Sequence, residues 1–185
     1  MKHYVFLANG FEDLEALSVI DIMRRAGLDV VTVSINDTNV VTSAHNVPMV
    51  ADILLAEVDF TTQGYLILPG GMPGTTNLWE CTTLCEQVKA HAEAGLPVAA
   101  ICAAPLIFGR LGILEGKNAT CYPGFEEYLE GATVLTSDRS VRVVTDGNVT
   151  TSRGMGTSIE LGLELSAILV DRETADKLAM GIQHL

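Results

Sequence analysis

No apolar run in this 185-residue sequence approaches the ~18 residues needed to cross a bilayer, so a membrane-spanning helix is not expected. A secretory leader is not expected either, because Met1-Lys2-His3 runs straight into the strand-like Tyr4-Val5-Phe6-Leu7-Ala8; the expectation is a cytoplasmic protein. Positive charge is scarce: 11 Lys and Arg stand against 23 Asp and Glu, a formal net charge of -12, which repels nucleic acid and anionic membranes at long range. Cysteine is sparse too. Cys81, Cys85, Cys102 and Cys121 form no CxxC pair and no disulfide framework, so reduced thiols are expected and a metal site is not. Neither a GxGxxG nor a P-loop pattern occurs, so no nucleotide cofactor is implied.

What remains is 48% hydrophobic and patterned as alternating strands and helices, enough for one domain over residues 1–185 to bury its own core. Tyr4–Ala8 reads as a strand, Glu12–Ala26 as a helix ended by Gly27, and Leu28–Ile35 as a second strand; a right-handed crossover of this kind builds a parallel sheet. Val40–Val50 suggests a hairpin or bulge at Ala44-His45-Asn46, and Asp52–Val58 a short helix. Tyr65–Leu68 reads as a buried strand closed by Pro69-Gly70-Gly71-Met72-Pro73-Gly74, followed by a helix over Thr82–Ala94. Gly112–Gly124 is loop-rich, Phe125–Leu129 suggests a helical turn and Val134–Thr136 a strand. Val141–Thr145 and Val149–Ser152 read as a hairpin, with closing helices at Gly156–Val170 and Arg172–Gln183. The expected fold is an α/β sandwich with a mostly parallel central sheet flanked by helices.

The centre of the pattern is Pro97-Val98-Ala99-Ala100-Ile101-Cys102-Ala103-Ala104-Pro105, a buried strand that turns sharply into a helix at Cys102. A cysteine there is either inert packing or a thiol favoured as thiolate by the backbone N–H groups and dipole of a helix start. In open parallel sheets the ligand crevice lies beyond the carboxyl ends of the strands, which brings Asn9-Gly10, Gly70-Gly71 and Cys102 to one rim. Glu15 falls on the stripe of Val19, Ile22 and Ala26, opposite Asp21, Arg24 and Arg25. A carboxyl so placed either snorkels to solvent or is buried with a raised pKa, ready to give a proton to a nearby thiolate. Gly70 and Gly71, with Ala103, offer backbone N–H groups for an oxyanion hole. Thr151-Ser152-Arg153-Gly154-Met155-Gly156-Thr157-Ser158 allows either helix capping or anion binding, with capping favoured.

Together, Asn9-Gly10-Phe11-Glu12-Asp13-Leu14-Glu15, Leu68-Pro69-Gly70-Gly71, Ala100-Ile101-Cys102-Ala103-Ala104-Pro105 and the segment Thr151–Ser158 resemble the signature blocks of the ThiJ/PfpI superfamily in its DJ-one/YajL-like branch, over essentially the whole chain. The resemblance implies a flavodoxin-like fold, a homodimer, no cofactor, Cys102 as reactive thiolate and Glu15 as its protonated partner. It implies action on a small aldehyde such as methylglyoxal or on a glycated substrate, or else redox sensing with chaperone-like protection. Arg25 matches an arginine that approaches the site across the dimer contact in similar proteins, and a second such arginine falls near His45. One departure stands out: Tyr122 of Cys121-Tyr122-Pro123 occupies the position of a histidine found in many members, and Ala103 after the cysteine departs from the peptidase branch, so proteolysis is not expected.

Overall fold

A computed structural model describes residues 1–184. Its central sheet has seven strands: β1 (Lys2–Leu7), β2 (Asp29–Ser34), β5 (Ile53–Leu54), β6 (Leu66–Leu68), β7 (Val98–Ile101), β10 (Val143–Asp146) and β11 (Val149–Ser152). They lie in the order β10-β11-β7-β6-β1-β2-β5, all parallel except β10, which pairs antiparallel with β11. Two-stranded pairs lie outside it, β3 (Val40–Thr42) with β4 (Pro48–Val50) and β8 (Asn118–Ala119) with β9 (Thr133–Val134). The helices are α1 (Asp13–Arg25), α2 (Gly74–Glu80), α3 (Thr82–Glu93), α4 (Pro105–Arg110), α5 (Ser158–Leu169) and α6 (Arg172–Gly181). None is long and apolar enough to cross a membrane.

The period-two geometry of the strands divides the core in two. Tyr4, Phe6, Leu66, Leu68, Val98 and Ala100 point to one face, where Leu84 and Val88 of α3 and Ile107 and Phe108 of α4 cover them. Val5, Leu7, Ile67, Ala99 and Ile101 point to the other, under Val19, Ile20 and Met23 of α1 and Leu161 and Leu165 of α5. Small side chains set the spacing where helices meet: a Cβ on Gly162 would stand 2.9 Å from that of Ile22, which brings α5 onto α1.

Three local expectations are corrected. The short helix expected over Asp52–Val58 is instead β5 followed by a single 3-10 turn, Leu55–Glu57, because Ile53 and Leu54 complete the sheet edge beside Val33 and Ser34. The stretch after Gly74 holds the helix α2, whose polar residues are anchored by tertiary bonds, Asn77 Nδ2 to the Asn9 carbonyl at 2.8 Å and Gly74 N to the Gly10 carbonyl at 3.1 Å. The strand expected over Val134–Thr136 is Thr133–Val134, paired to Asn118–Ala119 inside the loop-rich region.

Candidate active site

β7 ends at Ile101 and α4 begins at Pro105, so Cys102 occupies the intervening elbow with φ +65°. This left-handed conformation costs a non-glycine residue on the order of 1–3 kcal/mol and persists only where its surroundings over-determine it. Here the Cys102 N–H donates to the Ser152 carbonyl at 3.0 Å, and the Tyr122 N–H donates to the Cys102 carbonyl at 2.8 Å. Both backbone groups are thus pinned from outside the elbow. Ala103 and Ala104 are buried beneath it, and the sulfur itself is half-buried.

Glu15 lies in the first turn of α1 and is 1% exposed. Its backbone N–H is capped by Glu12 Oε2 at 2.8 Å, and its own Oε2 accepts from the Gly70 N–H at 2.9 Å. The carboxyl group also faces the Met155 backbone N–H and the Cys102 side chain, both of which act to lower its pKa. The N–H groups of Gly71 and Ala103 face the Cys102 sulfur and act to lower its pKa. The two glycines thus differ, Gly70 bonding the carboxyl group and Gly71 facing the sulfur. A Cβ on Gly70 would fall 2.6 Å from both Cys102 Cβ and Glu15 Oε2, so only a residue without one fits between them. In the Thr151–Ser158 segment Thr157 Oγ1 closes the turn, accepting from the Gly154 N–H at 3.1 Å and donating to the Gly154 carbonyl at 2.8 Å, while the Met155 N–H faces the Glu15 carboxyl group.

Burial pushes the Glu15 carboxyl group up to about 7, and the charge of Glu12 adds to the rise against the bonds from Cys102, Gly70 and Met155. Burial also pushes the Cys102 thiol up, followed by the charge and hydrogen bond of Glu15, while the N–H groups of Gly71 and Ala103 pull it down. The thiol is therefore raised, and not depressed as the N–H groups and dipole of a helix start alone would make it. Only six residues long, α4 supplies less than the burial and the facing carboxylate oppose. Two buried anions in contact are mutually disfavoured, so the pair holds a proton between them. When that proton sits on Glu15, the repulsion vanishes and the carboxyl group becomes a donor to the sulfur.

Tyr122 borders this pair. Its ring lies 3.2 Å from the point where a Gly154 Cβ would stand, and Glu15 Oε1 lies 3.8 Å from the same point. The side chain is 50% exposed, and its hydroxyl has no hydrogen-bond partner among the described residues. With Pro123, Arg153, Gly154, Met155, Gly156 and Thr157 it lines an open recess of about 280 Å³ beside the site. Arg25 and His45 are not brought to the pair within one chain. Arg25 sits ten residues from Glu15 at the far end of α1, bonded to Asp21 Oδ2 at 2.8 Å. His45 sits in the turn between β3 and β4, where its Nδ1 is 2.6 Å from Asp13 Oδ2, a bond that raises its pKa. Glu12, Asp13 and His45 bring one ligand atom each within 4.8 Å, the only such cluster among the described residues; Glu12 already caps α1 and Asp13 already accepts from Ser43.

The combination of elbow cysteine, buried glutamate and divided glycine pair is matched at the level of the whole sequence: a model of the DJ-1/PfpI family aligns with residues 1–168. The chain belongs to the DJ-1/PfpI family. Among its DJ-1/PfpI relatives, the DJ-1 homolog A of Arabidopsis thaliana is 42% identical over 94% of this chain, which matches 44% of that protein. The chain thus spans less than half the length of the plant relatives it matches. A Caenorhabditis elegans relative named glutathione-independent glyoxalase DJR-1.2 is 32% identical over 90% of this chain and 89% of its own. The crystal structure of Drosophila melanogaster DJ-1beta superposes with a TM-score of 0.92 at 31% identity, covering 100% of this chain and 98% of that one. That DJ-1/PfpI likeness matches the mostly parallel sheet flanked by helices that the sequence leads one to expect.

Proposed function

We propose that the protein is a cysteine-dependent enzyme acting on small reactive carbonyls, converting methylglyoxal or a related 2-oxoaldehyde to the 2-hydroxy acid without glutathione. The observation that carries the reading is the buried Glu15 carboxyl group set beside Cys102, the point where a Gly70 Cβ would stand being 2.6 Å from both, with burial raising its pKa to about 7. An acid titrating near the working pH is the one best able both to give and to take a proton in a single cycle. The activity in the name of the C. elegans relative supports the same chemistry.

In the reacting form Glu15 carries the proton and Cys102 is the thiolate. The sulfur adds to the aldehyde carbon, and Glu15 protonates the oxygen as the hemithioacetal forms. Once the sulfur has given up its charge to the new bond, the N–H groups of Gly71 and Ala103 are free to stabilise the developing oxyanion. The Glu15 carboxylate then removes the hydrogen from that carbon and returns it to the neighbouring keto carbon, while the hydroxyl proton on the first carbon's oxygen passes to the oxygen of the second. The first carbon is oxidised by two electrons and the second reduced by two, leaving a 2-hydroxyacyl thioester on Cys102. Water hydrolyses the thioester, releasing the hydroxy acid and restoring the thiol. The test is lactate formation from methylglyoxal with no thiol added, abolished in the Cys102→Ala variant.

A second reading, redox sensing, is favoured by the absence of any histidine at the sulfur. His3 accepts from the Tyr65 N–H, His91 bonds the Gly64 carbonyl, His45 is on Asp13 and His184 is 3.7 Å from Glu160. Tyr122, in the place of the family's histidine, has a phenol whose ordinary pKa of about 10 makes a poor base at neutral pH. A half-buried sulfur beside a protonated carboxyl group suits oxidation by two equivalents of peroxide to a sulfinate that Glu15 hydrogen-bonds. Mild peroxide is then expected to add two oxygens at Cys102 alone, read by peptide mass. Cys121 is fully buried and Cys85, also buried, has its thiol pushed up to about 11; oxidation of these before Cys102 overturns this reading.

We propose self-association as well. Leu14 and Leu17 are 48% and 42% exposed on the stripe of α1 that continues through Asp21 to Arg25, and Val47 and Val50 are exposed on the neighbouring hairpin. An apolar stripe of this kind suits a second copy, and it would carry Arg25 toward a partner's site, the role the family resemblance gives it. Leu17→Asp is expected to halve the mass in solution, measured by light scattering; an unchanged mass removes the stripe from the contact.

A further inference from the structure

Arg110 ends α4 and lies over two aromatic rings, its guanidinium carbon 5.2 Å from the centre of Trp79 and 5.1 Å from that of Tyr128. Of the seven arginines in the chain, five hold a carboxylate or carbonyl: Arg24, Arg25, Arg142, Arg153 and Arg172. Arg139 lies in an exposed turn. Arg110 makes no hydrogen bond or ion pair among the described residues, although Glu80, Glu127 and Glu130 are close to its two rings in sequence. In a chain of net charge -12, a cation without an acidic partner among the described residues is unusual. With its carbon over both rings and no partner among the described residues, the guanidinium keeps its fork of N–H donors free, and that fork matches the geometry of a carboxylate.

The space beside this cation is a groove of about 150 Å³ walled by Met72, Thr76, Trp79, Leu106, Phe125 and Tyr128. An apolar cavity of about 150 Å³ holds one benzene ring. The walls are apolar or aromatic apart from the Thr76 hydroxyl, so a hydrated inorganic ion gains little there, whereas an anion carried on a compact apolar body meets both features at once. We propose that the groove between Trp79 and Tyr128 binds a small organic carboxylate, the acid group paired to the edge of Arg110 and the apolar body against Met72, Leu106 and Phe125. Neither Cys102 nor Glu15 lines the groove, and the proposal stands whether or not the carbonyl chemistry does.

Trp79 is the only tryptophan, so its emission reports this groove and nothing else. Titration of the full chain with phenylacetate is expected to give a saturable change in Trp79 emission, with phenylacetamide at least tenfold weaker and inorganic phosphate giving no saturation. Arg110→Gln is expected to weaken phenylacetate at least tenfold and bring it level with the amide. Arg110→Lys, which keeps the charge but loses the stacked fork, is expected to fall between the two. Because the side chain is exposed, these variants fold, and retention of Cys102 alkylation at the parent rate verifies it. No saturable change with phenylacetate, equal affinity for acid and amide, phosphate binding as tightly as phenylacetate, or an unchanged titration in Arg110→Gln each overturns the proposal.

Discussion

Cys102→Ala is expected to leave no methylglyoxal consumption above the rate without protein, while folding and thermal stability stay close to the parent. The reason is chemical: the one covalent attachment of substrate to protein in the proposed cycle is made by this sulfur, and the other thiols cannot take its place. Cys85 and Cys121 are buried within the core, and none of Cys81, Cys85 and Cys121 is hydrogen-bonded to a carboxyl group. The substitution removes one sulfur at a half-buried position and retains the Cβ that the elbow already accommodates, so its structural cost is small. Measuring lactate release together with the unfolding curve separates the two effects. Full consumption by a folded Cys102→Ala protein would end the carbonyl reading.

Glu15→Gln is expected to lower turnover about 10²- to 10⁴-fold, the usual range for losing a positioned acid–base group. An amide still donates a hydrogen bond to the sulfur but cannot surrender or collect a proton, so iodoacetamide should continue to alkylate Cys102 when turnover has gone. Equal loss of both, or loss of neither, contradicts the assigned role. The same substitution has an opposite signature in stability. The folded carboxyl group titrates near 7 against an ordinary value of 4.5, so between those limits the folded chain binds more protons than the unfolded one. Stability from this group is therefore greatest below about 4.5 and declines as pH rises through 7, by on the order of 3 kcal/mol. Urea midpoints of parent and Glu15→Gln are expected to diverge in the variant's favour between about pH 5 and about pH 8.

Much of this was readable from residue order because the relevant forces are local. Apolar runs at β1, β6 and β7 and the 3.6-residue spacing of α1 give the parallel sheet and place Glu15 on the covered face. Small residues after Cys102 give the elbow. What the chain does not reveal by itself is direction. Which glycine N–H points at the carboxyl group and which at the sulfur depends on the course of the backbone after β6, where Gly71 takes φ +88°. The sign of the shift at Cys102 depends on how deeply sulfur and carboxylate are enclosed together, which no spacing rule contains. The helix α2 is concealed for a related reason, since Thr75-Thr76-Asn77 have modest helix propensity and owe their conformation to contacts with the loop after β1. The stacking of Arg110 joins residues from three separate elements, so only their assembly exposes it.

The anchoring of Cys102 through its amide to Ser152 ties the reactive centre to the register of β7 against β11. Cys121, sealed under the same rim, and Cys85, packed against α2, become accessible only when larger parts of the chain come apart. Four sulfurs at graded depths thus form a built-in ruler for breathing motions. Timed labelling followed by peptide mapping would distinguish a loosened entrance from wholesale melting, with no dye or spin probe attached.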